Sequence, residues 1–112
     1  MSDLETSLAW ALHALGSDLT GWQRQYTIEA TGRKHAWDFA FPDSRLVIDV
    51  QGGIYMRGRS GHSGASATKD FEKINLATCY GWRVLLFGPK DCAKRALGDT
   101  MDVIRAALMA PR

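Results

Sequence analysis

The chain of 112 residues is expected to fold as a single α/β (α+β) domain, with a mixed β-sheet flanked by helices. Three observations predict this. Leu4, Leu8, Leu12 and Leu15 recur at helical spacing near the start. The stretch WDFAFPDSRLVIDVQ reads as two strands around a Pro-Asp-Ser-Arg turn. A second helical stretch then leads into the apolar run WRVLLF, giving the order helix, three strands, helix, strand, helix.

The first helix spans residues 3–15, with Ser2 or Asp3 as N-cap and Gly16 as its stop. At 100° per residue Glu5 falls at the border of the leucine stripe, while Asp3 points away from it. Taken alone, Glu5 is a favourable charge in a first helical turn. Residues 22–28 form a first strand that ends in Ala30-Thr31-Gly32, and 36–41 and 46–51 are the second and third. The segment GGIYMRGRSGHSGAS, residues 52–66, holds five of the eleven glycines and reads as a long mobile loop. It is no phosphate-binding P-loop, since no Gly-Lys-Ser/Thr ends it.

Residues 67–80 form the second helix, with Phe71, Ile74 and Thr78 on one side and Leu76 and Tyr80 on another, as if covered twice. It is a plausible crossover between parallel strands 46–51 and 82–87, the latter a continuous apolar run of the buried kind. A last helical segment, 91–109, is expected to break near Gly98. Trp10, Trp22 and Trp82 belong to the core or its edges.

Composition excludes several classes. No apolar run approaches the roughly 18 residues of a membrane span. The start of the chain carries Asp3 and Glu5 rather than a basic region, so the expected compartment is the cytoplasm. Cys79 and Cys92 fit neither a disulfide framework nor a zinc site and are expected to be reduced. The net charge of +2 alone indicates no anionic partner. Basic residues nevertheless gather at Arg33-Lys34-His35, at Arg57, Arg59 and His62, and at Lys90, Lys94 and Arg95.

The hairpin poses the chemical question. With the turn centred on Asp43-Ser44, opposed residues have numbers summing to 87, which sets Phe39 against Ile48, Phe41 against Leu46 and Trp37 against Val50 on one face. The other face then carries Asp38 opposite Asp49, with Gln51 two residues along. Like charges so placed repel, and either a slipped register leaves both solvated or something offsets them. A divalent cation would do so, with Glu5 at the edge of the packed helix as a candidate third ligand, and oxygen ligands suit Mg²⁺ or Mn²⁺ rather than zinc.

An acidic residue on an N-terminal helix, then WDFAFPDSRLVIDVQGG, GRSGHSG and KDFEKINLATCYGWRVLLF, resembles the PD-(D/E)XK nuclease superfamily. Within it the chain is similar to small phage and bacterial endonuclease-domain proteins related to very-short-patch repair and Holliday-junction-resolving enzymes. The similarity spans roughly residues 33–88, with the first helix matching more loosely. It implies a restriction-endonuclease-like core and a Mg²⁺- or Mn²⁺-dependent DNA endonuclease of recombination or repair, selective for junctions, flaps or nicks, and a homodimer if two strands are cut. It implies Asp38 and Asp49 as metal ligands, Glu5 as the helix carboxylate and Gln51 in the place of the motif lysine.

Gln51 can position a water but cannot supply the lysine's charge. Lys73 and His62 are the candidates for a replacement cation, although Lys73 alone reads as a solvated helix position. DNA contacts are expected from Arg33, Lys34, Arg57, Arg59, His62 and Lys69. Two rivals stand beside the enzyme: an inactive DNA-binding or assembly module on a nuclease fold, which Gln51 favours, and a protein-interaction module, favoured if the basic clusters lie on unrelated faces.

Overall fold

The computed structural model describes residues 3–51 and 60–111, with the backbone alone for 60–69. Among these the elements are α1 (Asp3–Ala14), β1 (Gln23–Thr27), β2 (Ala36–Phe41), β3 (Leu46–Val50), α2 (Ser60–Cys79), β4 (Arg83–Phe87) and α3 (Leu97–Met109). The four strands form one mixed sheet in the order β1-β2-β3-β4. The first three are antiparallel and β4 runs parallel to β3. The expected mixed sheet with a helical crossover is therefore present. Among the described residues no helix is long and apolar enough to cross a membrane.

The hairpin takes the expected register, with Phe39 opposite Ile48, Ala40 opposite Val47 and Phe41 opposite Leu46. Pro42–Ser44 form a single 3-10 turn, and Arg45 at φ 50° closes it. Phe39, Phe41, Leu46 and Ile48 pack with Leu8 and Leu12 of α1 and Met101 and Ile104 of α3. Burying each of these large side chains stabilises the domain by about 1.5–3 kcal/mol.

Trp37 departs from the expected face. It packs with Ala40, Val47 and Ala77 on the α2 side of the sheet. The neighbouring strand breaks beside it at Gln25, whose φ of 51° is left-handed. Side chains alternate faces along an ordinary strand, but here the alternation breaks. Arg24 lies over the Phe39 ring while Tyr26 packs against Trp82 on the opposite face. The β1–β2 pairing nevertheless keeps its register on both sides of the break, Arg24 with Phe39 and Tyr26 with Trp37.

Six further expectations are corrected. The second helix begins at Ser60, so residues 60–66 are helical rather than loop. An isolated glycine costs a helix only about 1 kcal/mol relative to Ala, and the packed turns around Ile74 and Ala77 propagate the helix backwards through Gly61 and Gly64. This helix is not covered twice, because Phe71 is 60% exposed and Tyr80 45% exposed. WRVLLF is an edge strand, not an interior one, and its Leu86 is 46% exposed. The break in the last segment falls at the 3-10 turn Lys94–Ala96, and Gly98 lies inside the first turn of α3. Leu15 lies beyond the end of α1 and is exposed, so the leucine stripe ends at Leu12. Trp10 is exposed too, while Trp22 and Trp82 border the two cores. The proposed cap Ser2 lies outside the described residues.

Candidate active site

Asp38 and Asp49 meet where β2 and β3 come apart. The paired ladder stops at Phe39 and Ile48, and side chains take over from backbone. The Asp38 N–H donates to Asp49 Oδ1 at 2.9 Å, and the Val50 N–H donates to Asp38 Oδ2 at 2.8 Å. Each carboxylate thus satisfies a backbone donor that ladder bonding would otherwise have taken. These two bonds offset part of the repulsion expected of two facing aspartates.

The second offset is Lys73. Its ammonium donates to Asp49 Oδ2 at 2.5 Å and to the Ala36 carbonyl at 2.8 Å. It also stands 4.2 Å from the centre of the Trp37 ring. Both members of the ion pair are only 13% exposed. Lys73 is therefore no solvated helix position. Its phase on α2, between Asp70 and the buried Ala77, turns it to the sheet. The face switch of Trp37 completes the arrangement by laying an aromatic wall beside the ammonium.

Glu5 leans inward rather than serving only the first turn of α1. It is 6% exposed, and its Oε2 accepts from Arg24 Nη2 at 2.8 Å and from Gln25 Nε2 at 3.0 Å. The Gln25 amide also favours the charged form of Asp38, where the Glu5 charge opposes it. Gln25 thus bonds the helix carboxylate and stands close to the hairpin carboxylates. A left-handed non-glycine residue is strained by about 1–2 kcal/mol, and here that conformation places the Gln25 amide on Glu5. Arg24 and Gln25 are site residues the sequence did not reveal, because QRQYT shows only a polar strand.

Burial pushes the carboxyls of both Asp38 and Asp49 above the ordinary value. For Asp49 the bond to Lys73 is the main opposing effect; for Asp38 it is the Val50 N–H, while the Glu5 charge adds to the rise. Carboxyls raised in the folded state hold protons that the unfolded chain has released, so their contribution to stability falls as pH rises through the window above about 4. Lowering the pH from neutral into that window is expected to raise the urea midpoint. Asp38→Asn should flatten the rise, and urea titrations of both proteins across the window measure it.

A metal ion fits this donor set in one way. Among the described residues no three of His, Cys, Asp and Glu converge into a preformed cage. Carboxylate oxygens each carry two acceptor positions, so Asp38 and Asp49 retain capacity beyond their present bonds. Mg²⁺ is commonly held by one or two carboxylates, with waters and substrate phosphates completing its octahedron. The pair suits that mode. Glu5, already bonded to Arg24 and Gln25, is the less available third ligand.

The remaining expected residues divide by position. Gln51 follows β3 half-buried, and its N–H donates to the Phe87 carbonyl at 2.7 Å. Arg33 and His35 face Glu72 of α2 at 3.6 and 3.5 Å, and Lys34 is exposed. His62 and Lys69 lie on the backbone of α2. Arg57 and Arg59 lie outside the described residues. Both cysteines are free, as expected, and burial pushes the Cys92 thiol up to about 11, which leaves it protonated at neutral pH. No family model matches the chain, and neither a curated protein nor a solved structure matches it.

Proposed function

We propose that this protein is a metal-dependent DNA endonuclease of the PD-(D/E)XK kind, acting on structured DNA such as a junction, flap or nick in phage or bacterial recombination and repair. The observation that carries the reading is the contact between Lys73 and Asp49. A strand that offers Gln51 where a lysine is wanted receives an ammonium from α2 instead, beside paired carboxylates that suit Mg²⁺ or Mn²⁺.

The division of labour follows from the geometry. Asp38 and Asp49 would hold the ion, which when bound supplies a water of lowered pKa and neutralises phosphate charge. Lys73 supports the negative charge that develops on the attacked phosphate, from a position that excludes most water. Gln51 can orient the attacking water by hydrogen bonding. Gln25 and Arg24 keep Glu5 facing the pair.

The distribution of cations favours a nucleic-acid partner over a protein-interaction module. Arg33, Lys34 and His35 immediately precede β2, and Lys90, Lys94 and Arg95 follow β4. Since β2 is antiparallel to β3 and β4 is parallel to it, both clusters lie at the end of the sheet where β3 ends in Asp49 and Val50. Exposed cations on either side of a carboxylate pair suit a phosphate backbone laid across it. The inactive-scaffold reading keeps its own support in Gln51 and in the absence of a third ligand free of cations among the described residues.

Incubating the purified chain with end-labelled four-way junction, flap, nicked, duplex and single-stranded DNA, in Mg²⁺, Mn²⁺ or EDTA, tests the proposal. Cleavage of a branched or nicked substrate that EDTA stops is expected. Metal-dependent binding without a cut on any substrate would assign the fold to the inactive module.

A further inference from the structure

β4 borders the described sheet, and among the described residues the backbone groups along its outer side have no partner. The parallel ladder fixes which groups these are. The Arg83 N–H donates to the Arg45 carbonyl, and the Phe87 carbonyl accepts from the Gln51 N–H, so Arg83, Leu85 and Phe87 turn their backbone groups to β3. Val84 and Leu86 therefore turn theirs outward. No described residue bonds them.

This edge lacks the devices that ordinarily keep strand edges apart. From Val84 to Gly88 there is no charge, no proline and no left-handed residue. An exposed apolar side chain, Leu86, stands on it. Phe71 of α2 is a second exposed apolar side chain.

We propose that two copies of this chain join β4 to β4, antiparallel about a two-fold axis at Leu85, into one continuous eight-stranded sheet. The edge is complementary to itself in that register. Val84 of each copy lies opposite Leu86 of its partner, and each such pair exchanges two N–H to C=O bonds, so the two-fold satisfies all four outward donors and acceptors of Val84 and Leu86 on each side. On the α2 face Leu86 then meets the partner's Val84. An extended peptide could meet the same backbone groups. In the antiparallel register the uncharged run Val84-Leu85-Leu86 meets its own apolar counterpart residue for residue, a match that a peptide of unrelated sequence does not supply. A second copy is therefore the occupant to which the edge is matched. The inference does not rest on the nuclease reading.

Sedimentation equilibrium across roughly 1 to 100 µM and amide hydrogen exchange on the same samples test it. The expected species is twice the 12.4 kDa chain mass, with Val84 and Leu86 amides protected at high concentration and exchanging on dilution. Leu86→Lys leaves the fold's own bonds intact and replaces both apolar cross-pairs, so it should weaken the dimer roughly ten-fold or more. Leu86→Pro removes only the outward N–H, which an edge strand tolerates, and should act in the same direction. Circular dichroism confirms that each variant is folded, and the exchange measurement on the natural chain stands even if neither variant folds. A monomer at every concentration, protection of Val84 and Leu86 that ignores dilution, or a dimer that a folded Leu86→Lys leaves unchanged would each overturn the proposal.

Discussion

Asp49→Asn is expected to abolish Mg²⁺-dependent cleavage while DNA binding survives. The substitution removes half of the only carboxylate pair that the hairpin offers a cation, yet it leaves Arg33, Lys34, Lys90, Lys94 and Arg95 in place at the same end of the sheet. Binding measured by fluorescence anisotropy should therefore keep its affinity and salt slope, since both are set by cations on phosphates. Sequence alone suggests that losing one of two facing charges relieves repulsion and costs little stability without metal. The structure adds an opposing effect, because Lys73 has Asp49 as its charge partner in a mostly buried position. Burial still holds the Asp49 carboxyl above its ordinary value despite that bond, so the neutral amide should cost little stability at neutral pH. Lys73→Met and Asp49→Asn together should depart from the sum of the single changes, because the two sites are directly coupled.

Lys73→Met should reduce single-turnover cleavage by ~10²–10³-fold, the range for removing one preorganised group aimed at developing charge. Methionine keeps the aliphatic stem against the Trp37 ring, so a loss of rate without a loss of folding is the diagnostic outcome. The sharper half of this prediction is rescue. If the ammonium of Lys73 stands in for one missing at position 51, then Gln51→Lys introduced into the Lys73→Met variant should restore a substantial part of the rate. Gln51→Lys alone should be close to natural, and Gln51→Ala should lose ~10²-fold, as for a positioned general acid–base or hydrogen-bonding group. Failure of rescue, with both single variants folded and binding DNA, would separate Lys73 from the role given to it here.

Much of the fold was legible because its rules are local. Pro42 to Arg45 sets the turn, and the turn sets a register that the pairs Phe39–Ile48 and Phe41–Leu46 obey. A helix between two β-rich runs implied a parallel crossover, and β3 and β4 pair that way. The edge position of β4 was not legible, because an apolar run reports how its faces are covered and not how many strands flank it. Nor was the start of α2, where the glycines at 61 and 64 read as breakers although each carries only a modest helix penalty.

The candidate site shows the same division. Asp38 and Asp49 are visible as carboxylates in an apolar hairpin. What surrounds them depends on a break in alternation at Gln25, and no pattern in QRQYT announces a left-handed glutamine. Lys73 was ambiguous for a different reason. It lies beside Ile74 and Glu72 in the sequence, and only the packing of Ala77 against the sheet fixes the helix phase that buries it.

The central claim is that the Asp38–Asp49 pair with Lys73 forms a working nuclease site. Its most direct test is the single-turnover cleavage rate of the natural chain and of Asp49→Asn, purified in parallel and assayed on one branched substrate at saturating Mg²⁺. Parallel preparation exposes any contaminating nuclease, which would cut equally in both. The account predicts cleavage by the natural chain and none above background by the variant. A natural chain as inert as Asp49→Asn, with both proteins folded and bound to the DNA, would contradict it.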